Sequence, residues 1–144
     1  EYIPFYFVDP EAKEVITDLP NWYDQLASFS KDHALGSPIG ELIKPYIKEM
    51  QVKCASLEEL LSFHEIKKID LLHIDAEGYD GKIAIDFLET TSIRPVIILE
   101  YIHIKNNIFV DLLNILKKER YNIFTINENL ICYPEAEKKF IKFV

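Results

Sequence analysis

Glycine and cysteine are scarce in this chain. Its four glycines, Gly36, Gly40, Gly78 and Gly81, are scattered over 144 residues, which excludes the Gly-x-Gly-x-x-Gly turn that opens a dinucleotide-binding helix. Cys54 and Cys132 stand alone, without Cys-x-x-Cys spacing or a flanking histidine pair, so neither a zinc site nor a disulfide framework is indicated. Both read as reduced, semi-buried thiols. Basic charge is outnumbered, with 16 Lys and Arg against 24 Asp and Glu for a formal charge of −8. That balance repels polyphosphate, and no nucleic-acid partner is expected. Long apolar runs are missing too: the run at Val96 is cut by Glu100, short of the roughly 18 residues a membrane span needs. The chain opens at Glu1 with neither a start methionine nor a charged-then-apolar leader, which reads as a trimmed or incomplete piece. The expected compartment is the cytoplasm.

What is present is a hydrophobic fraction of 49 %, enough for one packed domain at this length. Pro4–Val8 is aromatic and β-branched and is turned by Asp9-Pro10, as in a short strand. Residues 18–40 thread aromatic groups through turn formers, as in a long loop lying on a surface. Residues 41–50 are weakly helical with a break at Pro45, and Gln51–Cys54 reads as a short strand. Ser56 with Glu59 three positions on forms a capping box that opens a helix through about His64.

From there the chain alternates. An apolar strand runs from Ile69 to Asp75, and a helix from about Asp80 to Glu89 carries Ile83, Ala84, Phe87 and Leu88 at helical spacing. A strand from Pro95 to Tyr101 follows, then a helix from an Asn107 cap to about Arg120 that buries Phe109, Leu112, Leu113 and Leu116. Tyr121–Ile126 and Leu130–Tyr133, joined by Asn127-Glu128-Asn129, form an antiparallel hairpin. The order predicts an α/β domain whose mostly parallel sheet ends in that hairpin. Residues 1–50 form a variable strand and loop region, and 51–144 the sheet. Both central strands are apolar on both faces, which calls for helices above and below. The strand at Ile69 also wants a second parallel neighbour, expected upstream of Glu1.

Both central strands end in carboxylates, where open α/β sheets bind ligands. Asp75 closes the first, followed by Glu77 and Gly78, and Glu100 closes the second, followed by His103. Parallel neighbours lie about 4.8 Å apart, so Asp75 and Glu100 are expected to approach each other and raise one pKa, as suits proton transfer. Asp75 could instead cap the next helix, Glu77 could answer exposed helix amides, and Gly78 permits a tight turn. His103 is a candidate base or a solvated loop histidine. His73, inside the apolar strand, reads as a hydrogen-bonded core residue, and His33 and His64 carry no site reading. Asp75, Glu77 and Glu100 could hold a hard cation, but their spacing matches no dedicated metal loop and no metal is expected. Trp22, Tyr23 and Phe29 either form a lid, with Asn21, Gln25 and Ser28 as polar contacts, or pin their loop to the core.

The run Ile69-Asp70-Leu71-Leu72-His73-Ile74-Asp75-Ala76-Glu77-Gly78 resembles the signature of FkbM family S-adenosylmethionine-dependent methyltransferases, an Ile-Asp-Leu-Leu strand running into Ile-Asp-x-Glu-Gly. Val52–Leu61, Leu19–Phe29, Pro95–Glu100 and the Tyr121 hairpin are similar to further family segments. The resemblance implies the carboxyl-terminal portion of a Rossmann-like class I methyltransferase fold and S-adenosylmethionine as cofactor. Taken with the strand-end chemistry, the candidate catalytic groups are Asp75, Glu100 and His103, those at the cofactor Asp75, Glu77 and Gly78, and those at the substrate Trp22, Gln25 and Ser28. Transfer to an oxygen of a small-molecule or glycan acceptor is the activity the resemblance suggests. Family members also hold the cofactor by a Gly-rich loop and an acidic residue after their first two strands. This chain has neither, so on its own it is expected to bind cofactor weakly or not at all. Two other classes stay open: a non-catalytic interaction module or remnant, and a metal-dependent hydrolase built on the carboxylates.

Overall fold

A computed structural model describes residues 2–137. The chain divides into two compact units, Glu1–Cys54 and Ala55–Val144.

In the first unit, β1 (Tyr2–Val8) leads through Asp9, whose carboxylate accepts the Glu11 N–H at 3.0 Å, into α1 (Glu11–Val15). The stretch expected as a loop is partly helical, with a 3-10 turn at Tyr23–Leu26 and α2 at Lys31–Gly36. After α3 (Gly40–Ile43), Pro45 sits in a 3-10 turn over Lys44–Tyr46, and β2 starts at Ile47 and runs to Lys53. The expected helix over 41–50 therefore stops at the proline. Pro45 cannot donate to a helix interior, and Ile47–Met50 find backbone partners by pairing antiparallel with β1, from Val8↔Ile47 to Tyr2↔Lys53. Val8, Ala12, Tyr23, Ala34 and Ile43 form this unit's core.

The second unit opens with α4 (Leu57–Phe63). Its capping box is formed as expected: the Glu59 N–H donates to Ser56 Oγ at 3.1 Å, and the Ser56 N–H donates to Glu59 Oε2 at 2.9 Å. Removing the hydroxyl orphans an amide at the helix start, so Ser56→Ala is expected to cost about 1 kcal/mol, measurable by urea unfolding.

Next come β3 (Leu71–Ile74), α5 (Asp80–Thr90), β4 (Val96–Glu100), α6 (Asn106–Lys118), β5 (Tyr121–Ile126) and β6 (Asn129–Pro134). The strands form one mixed sheet in the order β3-β4-β6-β5. β3 and β4 are parallel with Leu71 opposite Val96 and Ile74 opposite Leu99, while β6 pairs antiparallel with both β4 and β5. The hairpin turns on Asn127 and Glu128, with Asn127 at φ 52, a conformation asparagine tolerates better than most residues. Asn129 belongs to the strand. Asn107 lies within the first turn of α6 rather than at its cap, which is Lys105.

One sheet face carries the core: Ile74, Ile97, Leu99, Leu130 and Cys132 pack with Ala84, Phe87 and Leu88 of α5 and Leu112, Ile115 and Leu116 of α6. The other face is less covered, and two expectations fail there. β3 is not buried on both faces, since Leu71 is 54 % exposed, and His73 is exposed rather than a core histidine. The reason is topological: among the described residues β3 pairs only with β4, and alternation along the strand sends Leu71 and His73 to the face opposite the core. The half-buried Arg94 braces the far end of the core, donating to Glu119 at 2.9 Å and to the carbonyls of Thr91, Ile93 and Leu88. Tyr121 donates its hydroxyl to the Pro95 carbonyl at 2.9 Å. Among the described residues no helix is long and apolar enough to cross a membrane.

Candidate functional site

The parallel pairing of β3 and β4 puts their carboxyl ends side by side, as the two acid-tipped strands required. Past Ile74 the chain makes a tight turn. The Tyr79 N–H donates to the Ala76 carbonyl at 3.0 Å, and Glu77 and Gly78 both adopt left-handed backbone, at φ 49 and φ 90. Past Glu100 a second turn forms, in which the Ile104 N–H donates to the Tyr101 carbonyl at 3.2 Å. The turns touch closely: a Cβ built on Gly78 would lie 2.9 Å from the His103 carbonyl oxygen. Glycine is required there twice over, by its φ and by this approach.

The result is a cluster of Glu77, Glu100 and His103, whose potential ligand atoms all lie within 4.8 Å of one another. Glu100 Oε2 is 3.9 Å from His103 Nε2. Asp75, expected as the close partner of Glu100, is exposed and outside this group. The left-handed turn at Glu77 brings that later carboxylate in, while Asp75 acts on Glu100 through its charge. Two carboxylates and an imidazole are also a donor set that a divalent cation can use.

Burial pushes the Glu100 carboxyl above its ordinary range. His103 opposes the shift, and the negative charges of Glu77, Asp75 and Asp80 reinforce it. A carboxyl raised in the folded state keeps a proton that the unfolded chain has already released, so folding stability falls as pH rises from the ordinary carboxylate range through the raised value. Urea unfolding across that window is expected to show wild type losing stability relative to Glu100→Gln as pH rises. A difference that stays constant with pH would contradict the shift.

Of the remaining expected residues, Trp22 and Gln25 are exposed and Ser28 is buried in the first unit. The Ser28 backbone exchanges two hydrogen bonds with Tyr6, at 2.8 and 2.9 Å, and its Oγ accepts the Ser30 N–H. Tyr23 belongs to the first unit's core and Phe29 packs edge-on against Phe5 at 5.1 Å, so these aromatics pin their loop. Cys132 is buried and its thiol is pushed up to about 12 by that burial, which removes it as a nucleophile at neutral pH.

Asp80 escaped the sequence reading. It is fully buried, and its carboxylate accepts the N–H groups of Ala76 at 3.2 Å and Gly78 at 3.1 Å. The available signal was an acidic residue in the first helical turn, two residues after Gly78, which often answers unpaired amides.

A helix-packed mixed sheet whose parallel strands end in convergent carboxylates defines an α/β domain compatible with a methyltransferase-like fold. A family model described as the Methyltransferase FkbM domain matches residues 8–123, and the chain belongs to the FkbM methyltransferase family. No curated protein and no solved structure matches it.

Proposed function

We propose that this domain serves S-adenosylmethionine-dependent methylation of a hydroxyl on a small-molecule or glycan acceptor. The observation that carries the reading is the convergence of Glu77, Glu100 and His103 at the carboxyl ends of two parallel strands, the position at which open α/β sheets engage ligands. A negative chain favours a neutral or cationic acceptor over nucleic acid. Free Cys54 and Cys132 suit the reducing cytoplasm.

The residues at this rim fit an acceptor better than they fit the cofactor. Gly78 is backed by the His103 carbonyl, and a Cβ on Gly81 would meet Ile108 and Ile104 at 2.9 and 3.1 Å, so neither glycine forms an open cradle. The donor set of carboxylates and one imidazole instead suits a hydroxyl, which donates to a carboxylate. S-adenosylmethionine supplies the methyl group, an assignment supported by family membership.

In this reading the acceptor hydroxyl donates to Glu100, whose raised pKa makes it a stronger proton acceptor than an ordinary carboxylate. His103 stands beside Glu100 on the outer side, 45 % exposed, and orients its carboxylate. Glu77 and Asp75 supply further acceptors that fix the hydroxyl-bearing group. Alignment of the nucleophilic oxygen does most of the work, which agrees with a site that holds no activated nucleophile of its own. Calorimetric titration of the complete gene product with S-adenosylmethionine tests the proposal. Binding is expected, and its absence at millimolar cofactor would defeat it.

A further inference from the structure

Asp80 is the one fully buried acidic side chain among the described residues, and its hydrogen bonds run in an unexpected direction. It opens α5, where a carboxylate ordinarily answers amides of the helix it begins. Here it turns back into the preceding loop, Oδ1 accepting from Ala76 and Oδ2 from Gly78. The residue straddled by these two bonds is Glu77, which holds φ 49, a backbone region that side-chain-bearing residues occupy only when their surroundings impose it. The far side of the loop is closed by the contact between Gly78 and the His103 carbonyl, and the base of α5 by Gly81 against Ile104 and Ile108. The loop is thus clamped from below by Asp80 and stopped from above by the turn that carries His103.

We propose that Asp80 is a positioning residue: by bridging the Ala76 and Gly78 amides it imposes the left-handed turn at Glu77 and so holds the Glu77 carboxylate against Glu100 and His103. The consequence for acceptor binding rests on the reading of that site given above; the clamp itself does not. Both carboxylate oxygens are needed. An asparagine at this position would accept from one amide and turn an NH2 group toward the other, setting donor against donor.

Asp80→Asn in the complete gene product, followed by NMR, tests this. A strong contact between a residue's own H-N and Hα marks positive φ, and a contact from Glu77 Hγ to the His103 ring marks the assembled cluster. In wild type both are expected, together with slow hydrogen exchange at the Ala76 and Gly78 amides. In Asp80→Asn at least one of those amides is expected to exchange at least tenfold faster, with loss of both Glu77 contacts, while contacts among Phe87, Leu99 and Leu112 persist. A purely structural role would lower the melting temperature and leave the Glu77 contacts intact, and that result overturns the proposal. If Asp80→Asn does not fold, wild type decides: unprotected exchange at both amides, or a Glu77 signature of negative φ, overturns it equally, and protection with positive φ upholds it. A methyl-transfer defect in Glu100→Gln bears on the site and leaves these readouts unmoved, so the two failures are distinguishable.

Discussion

Replacing Glu100 by glutamine is expected to lower methyl transfer by about 10²- to 10⁴-fold, the range that a positioned general base contributes. The substitution is nearly isosteric. Glutamine retains a carbonyl oxygen that can accept the acceptor hydroxyl, so ground-state binding should change little and the loss should fall on turnover rather than on the Michaelis constant. On the proposed reading, what disappears is the ability to take the proton, which burial and the neighbouring charges of Glu77, Asp75 and Asp80 strengthen in the wild-type carboxylate. Steady-state kinetics of the complete gene product measures this. A loss confined to the Michaelis constant would assign Glu100 to binding alone, and an unchanged rate would remove it from the mechanism.

The second large effect concerns stability. Phe87→Ala is expected to cost about 3–5 kcal/mol, a substantial share of the roughly 5–15 kcal/mol that holds a typical domain folded. Phe87 is fully buried on α5 and belongs to the cluster of Ala84, Leu88, Ile97, Leu99, Leu112 and Leu116 that joins both helices to the sheet. Truncation removes apolar burial and leaves a cavity that strands and helices braced from several sides cannot fully close. The loss appears in urea as a lower midpoint at nearly constant slope. A cost below about 1 kcal/mol would mean that the site collapses freely, contrary to a packed interface between α5, α6 and the sheet.

Local chemistry makes much of this legible in the sequence. Ser56 and Glu59 announced their helix because a capping box involves only four consecutive residues. Asp75 and Glu100 marked the ends of parallel strands because each interrupts an apolar run. Features decided by distant pairing were less visible. Ile47–Met50 become a strand because β1 supplies distant partners, from Val8↔Ile47 to Phe5↔Met50, information absent from the local pattern around Pro45. His73 sits in an apolar run yet is exposed, because strand alternation sends it to the face of β3 opposite the core cluster that takes Ile74. Within the site, carboxylate spacing along the strands pointed to Asp75 beside Glu100. The charge of Asp75 does act on Glu100, and the closest cluster also draws in Glu77, whose left-handed turn depends on the buried Asp80 and on the approach of His103 to Gly78. No periodicity encodes that turn.

The decisive question is where the ligand binds. Hydrogen–deuterium exchange of the complete gene product, with and without S-adenosylmethionine at about 1 mM, enough to half-fill a site with a millimolar Kd, locates it. Slowed exchange is predicted in peptides covering 73–80 and 99–105, the two turns at the carboxyl ends of β3 and β4, because the transferable methyl of the bound cofactor must abut the acceptor position at this rim. Protection confined to the opposite strand ends, around 67–71 and 92–96, or no protection anywhere, would contradict it.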